Sequence, residues 1–103
     1  MGVIEVNKSN FEKEVINSGK KVLADFNADW CGPCKMLKPI IEEFANNNTD
    51  IKVVSINVDN EDELSEKYNV SSIPCLVLFD KGKEIKRNVG LISRDDLDNL
   101  IGG

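Results

Sequence analysis

The chain contains no histidine, one tryptophan, one tyrosine and only three cysteines in 103 residues. A structural zinc site wants four ligands, usually drawn from a second C-x-x-C or from histidines. Cys31, Cys34 and Cys75 fall short of that, so a metal-binding module is a poor reading and no metal is expected. Three cysteines are also too few for a disulfide scaffold. No apolar run approaches the length of a membrane helix; the longest, Ile73 to Phe79, is of strand length. The opening Met-Gly-Val-Ile-Glu-Val has neither a charged n-region nor an apolar h-region of signal-peptide size. Gly2 invites comparison with a myristoylation signal, but Val6 stands where Ser or Thr is wanted. A surplus of positive charge is missing too: 13 Lys and Arg against 18 Asp and Glu give a net charge of −5. Nothing here favours nucleic-acid binding or docking on an anionic membrane. The expectation is a cytoplasmic protein with no membrane and no nucleic-acid partner.

What is present is enough for one domain spanning residues 1–103, since 41% of the residues are hydrophobic and can bury a core. The chain is organised around Trp30-Cys31-Gly32-Pro33-Cys34. Two cysteines three apart can close a disulfide when the chain makes one helical turn. A Pro just inside a helix start suits such a turn, because its missing N–H has no partner there anyway. Leu37, Ile40, Ile41, Phe44 and Ala45 follow at helical spacing. Cys31 is therefore expected at the N-terminal edge of a helix, beside unpaired N–H groups and the positive end of the dipole. That placement favours thiolate over thiol, as is usual for a C-x-x-C thiol. Cys31 is the expected nucleophile. Cys34, a turn deeper, is expected to be more buried and to attack a mixed disulfide formed on Cys31.

Along the chain, Val3 to Val6 reads as a short strand. Ser9-x-x-Glu12 reads as a capping box opening a helix from about Asn10 to Ser18, stopped by Gly19. Lys21 to Asn27 is apolar almost throughout, as a strand covered on both faces would be. A helix is expected from about Cys34 to Asn47, kinked at Pro39. Ile51 to Val58 is a strand and Glu61 to Tyr68 a short helix. Ser71 to Pro74 is a loop, Cys75 to Phe79 a strand, Asp80 to Lys83 a hairpin turn and Glu84 to Val89 the returning strand. Gly90 breaks it, and Ser93 to Asp96 caps a last helix carrying Leu97, Leu100 and Ile101. The pattern β-α-β-α-β-α-β-β-α predicts an α/β fold with a mixed sheet and helices on both faces.

Over essentially its full length the sequence resembles the thioredoxin family. The matching residues are Asp25-Phe26, Ala28, Trp30-Cys31-Gly32-Pro33-Cys34-Lys35, Pro39, Asp59, Ile73-Pro74, Phe79, Gly82, Gly90 and the Leu97/Leu100 helix. C-x-x-C beside a βαβ pattern is itself a thioredoxin-like sign; the pentapeptide between a buried strand and a Pro-containing helix is far more specific. The resemblance implies a central mixed β-sheet of about five strands flanked by about four α-helices. It implies a protein-disulfide reductase with a redox-active Cys31–Cys34 disulfide, no bound cofactor and a monomeric state. Its implied partners are disulfide-containing proteins and a thioredoxin reductase, a flavoenzyme driven by NADPH or ferredoxin. It implies a cis bond before Pro74, a docking patch of Trp30, Ile73, Pro74, Gly90 and Leu91, and redox tuning by Gly32 and Pro33. It makes Asp25 the proton acceptor for Cys34; burial in Val22–Phe26 would raise its pKa towards working pH.

Three positions depart from the family pattern. Asn27 stands where an aromatic, commonly Trp, is usual. Ser55 stands where a buried Lys often neighbours the Asp, so Asp25 is expected to ionise less readily here. Cys75 stands where Thr is usual; it is either a small residue filling the same slot or a third redox thiol near Cys31. Rival readings are a disulfide oxidase or isomerase, and a partner subunit that uses the patch without chemistry. Gly-Pro between the cysteines favours the reductant.

Overall fold

The computed structural model describes residues 2–102. A five-stranded sheet with strand order β1-β3-β2-β4-β5 forms its centre, built from β1 (Ile4–Glu5), β2 (Lys21–Asn27), β3 (Ile51–Asn57), β4 (Cys75–Asp80) and β5 (Lys83–Val89). β2 lies parallel to β3 and antiparallel to β4, and β1 joins β3 in parallel. A short π-helical segment (Glu12–Ile16) and three α-helices, α1 (Gly32–Asn47), α2 (Asp62–Lys67) and α3 (Arg94–Gly102), complete the fold. This is the mixed sheet with four helices that the pattern predicts.

Strand alternation divides the core. Val22, Ala24 and Phe26 of β2 pack with Val54, Ile56, Val77, Phe79, Phe11 and Leu64 on one face. Leu23 of β2 packs with Leu37, Ile41, Phe44, Val53, Leu76 and Leu97 on the other, beneath α1 and α3. Successive side chains of a strand point to opposite faces, so Asp25 shares the face of Leu23 and lies on the side of α1. Burial of both faces explains why β2 reads as a nearly continuous apolar run.

Local differences from the sequence reading have local causes. The Ser9–Glu12 capping box does not form. Asn7 takes its place: its Oδ1 accepts from the Ser9 N–H at 2.9 Å, the Ser9 hydroxyl at 2.6 Å and the Asn10 N–H at 3.2 Å. The helix that follows is short and widened, because the Asn17 N–H reaches back five residues to the Glu12 carbonyl. α1 starts two residues earlier than expected, with Cys31 as N-cap and Gly32 and Pro33 as its first turn. It continues through Pro39, which leaves the Lys35 carbonyl without its helical donor. The β4–β5 hairpin turns on Lys81-Gly82, both at positive φ, the geometry of a two-residue turn that matches strand twist. A bulge between Leu78 and Phe79 interrupts that pair. Arg87 of β5 anchors the end of α2: its guanidinium donates to the Tyr68 and Asn69 carbonyls and pairs with Glu84.

Candidate active site

β2 delivers the chain to the site and α1 leads it away. After Asn27, the segment Ala28–Trp30 turns, and the Cys31 N–H donates to the Ala28 carbonyl at 3.3 Å. Cys31, extended at φ −85° and ψ 112°, caps α1: its Sγ accepts the Cys34 N–H at 3.2 Å. That places the Cys31 sulfur against a helix N-terminus, as expected from the position of Pro33. Cys31 and Cys34 are joined as a disulfide, with Cα atoms 5.2 Å apart. Both pack with Ala28, against Val58 and Ile73. Their burial corrects one expectation. Cys34 is not the deeper of the two: 7% of its surface is exposed against 3% for Cys31. Both belong to one small apolar cluster with Ala28, and depth along the helix does not rank their burial.

The remaining residues named from the sequence fall around this cluster. Trp30 is 68% exposed, and its indole Nε1 donates to Asp59 Oδ2 at 2.8 Å. Gly32 and Pro33 are exposed at the helix start. Ile73 is half-buried against the cysteines, the Ile73–Pro74 bond is cis, and Pro74 is buried. The Pro74 carbonyl accepts the Gly90 N–H at 2.8 Å, which ties the start of β4 to the end of β5; Leu91 beyond it is exposed. The indole–carboxylate bond escaped the sequence reading. Asp59 matches the family pattern, but nothing in that match says which side chain meets its carboxylate.

Asp25 is buried, with 7% of its surface exposed, and its Oδ1 has no hydrogen-bond partner among the described residues. Burial pushes its pKa up to about 7; the nearby Asn27 carboxamide pulls it down and the Glu5 charge pushes it up. Asp25 stands opposite Ser55 in the parallel β2–β3 pair. Asn27 Nδ2 donates to the Asp25 backbone carbonyl and to Ser55 Oγ, both at 2.8 Å. Thus Asn27 bridges the two strands without engaging the orphan oxygen. Beside these residues a cleft of about 580 Å³ opens between α1 and the β1–β3–β2 side of the sheet. Asp25, Asn27 and Ser55 line it, as do Cys34, Lys35 and Lys38.

Cys75 stands apart. It pairs in register with Phe26 and has no exposed surface. Its side chain belongs to the core face of Phe26, Val77 and Phe79, not to the cluster of Cys31 and Cys34. Burial pushes its thiol pKa up. Among the described residues no group of three or more Cys, Asp or Glu side chains is placed to hold a metal ion.

The family model for thioredoxin matches residues 2–102. The chain belongs to the thioredoxin family. It is similar to the thioredoxin of Chlamydia trachomatis, 43% identical over 96 residues that cover 93% of this chain and 92% of the relative. A thioredoxin of Mycoplasmoides gallisepticum is 39% identical over 95 residues, covering 92% of this chain and 94% of the relative. One from Mycobacterium bovis is 46% identical over 88 residues, covering 84% and 76%. Family and cysteine pair together make the protein a disulfide reductase that works by dithiol–disulfide exchange through Cys31 and Cys34. No helix among the described residues is long and apolar enough to cross a membrane. Asn27 and Ser55 are among the polar residues on this flank of the site.

Proposed function

We propose that Cys31 is the attacking thiolate of this reductase and Cys34 its resolving thiol. The observation that carries this is the capping position of Cys31: its sulfur receives the Cys34 N–H at the mouth of α1. A thiolate there is stabilised by the unpaired N–H groups and the dipole, and each pKa unit of preference corresponds to about 1.4 kcal/mol. Cys31 Sγ attacks one sulfur of a substrate disulfide and expels the other as a thiolate. Cys34 then loses its proton to Asp25, attacks Cys31 Sγ and releases the second substrate thiolate. The protein disulfide forms as the substrate disulfide is reduced. A carboxyl with a pKa of about 7 is suited to accept and return that proton near neutrality.

Trp30, Ile73, Gly90 and Leu91, with the buried Pro74 beneath them, supply the surface on which an extended substrate segment docks, by a form of strand addition. Gly32 and Pro33 set the geometry of the small ring and with it the redox poise. Cys75 serves packing, a reading supported by its burial. The protein acts as one domain and as a monomer in the cytoplasm. It binds no cofactor, and a thioredoxin reductase returns it to the dithiol form. The decisive experiment is insulin-disulfide reduction with NADPH- and ferredoxin-linked reductases supplied in turn. Turnover with one of them, abolished in Cys31→Ser, is the expected outcome; turnover surviving Cys31→Ser rejects the assignment.

A further inference from the structure

We propose that Ser55, oriented by Asn27, is a positioning residue for Asp25: its hydroxyl donates to the Asp25 carboxylate and holds it charged, ready to receive a proton. The inference deepens the acceptor role proposed above for Asp25 and rests on that role for its place in the reaction. Position 55, opposite Asp25 on β3, carries a hydroxyl and no charge. Asp25 Oδ1 is buried, and nothing among the described residues donates to it. A buried carboxylate oxygen left unmet is costly, the more so when it is charged. A donor that reaches it on ionisation removes part of that cost.

The hydrogen bonds of Asn27 show which hydroxyl serves. Asn27 Nδ2 lies 2.8 Å from the Asp25 backbone oxygen and 2.8 Å from Ser55 Oγ. A carbonyl oxygen only accepts, so the amide nitrogen must face it, and the second N–H of that nitrogen goes to Ser55. Ser55 Oγ is thereby committed as an acceptor from Asn27, and its own proton points away from the amide. Ser55 and Asp25 are partners in the parallel β2–β3 pair, and both line the same cleft. Neighbouring strands run about 4.8 Å apart, and the last torsion of an Asp side chain is soft. A rotation of the carboxyl about that torsion brings an oxygen to the Ser55 proton.

The proton balance is simple. The transferred proton leaves Cys34 Sγ and lands on an Asp25 carboxylate oxygen. Ser55 keeps its own proton throughout. Its bond is stronger to a charged acceptor than to a neutral one, so it favours the ionised carboxylate before the transfer and weakens after it. The charged groups around the cleft are Glu5 on β1, Asp29 after β2, and Lys35, Lys38 and Glu42 on α1. All five are retained in every variant below.

The test follows the Asp25 carboxyl by carbon-13 NMR in the oxidised full-length protein, where Cys31 and Cys34 are tied together and do not titrate. Ser55→Ala is expected to raise the midpoint by about one pH unit. Ser55→Thr retains the hydroxyl and is expected to keep the midpoint of the unchanged protein. Asn27→Ala is expected to raise it less than Ser55→Ala does. On that background Ser55→Ala is expected to add well under its full shift, because a hydroxyl freed from the amide has lost its aim. A Ser55→Ala midpoint unchanged or lowered, or a Ser55→Thr midpoint equal to that of Ser55→Ala, overturns the proposal. Full additivity of the two alanine variants overturns the part given to Asn27. The pH profile of insulin reduction tests the underlying reading separately: an Asp25→Asn profile identical to that of the unchanged protein removes Asp25 from the reaction and leaves the Ser55 bond standing.

Discussion

Asp25 carries the strongest consequence of any single residue. Its carboxyl titrates near 7 in the fold and near 3.8 when unperturbed. Between those values the unfolded chain is ionised while the folded one keeps its proton. Stability therefore falls as pH rises from about 4 to about 7, by roughly 4 kcal/mol at 1.36 kcal/mol per pH unit. Asp25→Asn removes this loss. Its stability relative to the unchanged protein, from urea unfolding, is expected to grow by a few kcal/mol between pH 4 and pH 8; a pH-independent difference rejects the account. Ser55 faces Asp25 across the β2–β3 pair, so Ser55→Lys sets a cation beside the carboxyl. Carbon-13 NMR should show its titration midpoint lowered, and equal midpoints would count against that electrostatic reading. Cys75, with no exposed surface, is expected to escape alkylation in the native reduced protein and to react only on unfolding.

At the scale of elements, much was legible in the sequence. The strands, the redox helix and the last helix follow from periodicity and from turn residues. β2 was plain because a strand covered on both faces has little room for polar residues. What escaped depended on partners distant in sequence or on competition between neighbours. Ser9 and Glu12 satisfy a capping pattern, yet Asn7 Oδ1 takes both the Ser9 N–H and the Ser9 hydroxyl. Trp30 and Asp59 are 29 residues apart, and only the fold brings them together. The Asp25–Cys34 cleft is lined by residues of several elements, and a volume between elements has no signature in any one of them. The β4–β5 turn supplies a test. Gly82 sits at φ 80°, and a Cβ there would meet Ile16 Cγ2 at 3.0 Å. Gly82→Ala is expected to destabilise by about 1 kcal/mol or more in chemical denaturation; an unchanged midpoint would show that the turn relaxes freely.

For the whole molecule, redox state and stability are one quantity. A disulfide that constrains the unfolded chain stabilises the oxidised form by about 2–4 kcal/mol in typical cases. A more stable oxidised form makes a stronger reductant, about 30 mV for each 1.4 kcal/mol. Oxidised protein is accordingly expected to unfold at higher denaturant than reduced protein. Pro33→His, which replaces the residue that fits the first turn of α1, is expected to raise the reduction potential measured by equilibration with glutathione. A fall in potential contradicts the tuning role of Gly32-Pro33, and with it the choice of reductase over oxidase.

The outer border of the sheet has a consequence of a different kind. β5 presents Lys83, Glu84, Lys86 and Arg87, and the bulge at Leu78/Phe79 bends the ribbon it closes. β1, on the opposite border, is only two residues long. Neither margin offers a long, flat, uncharged template on which another copy could zip. A shuttle that must remain at working concentration through repeated rounds of oxidation and reduction is thereby protected from fibre growth by its own perimeter.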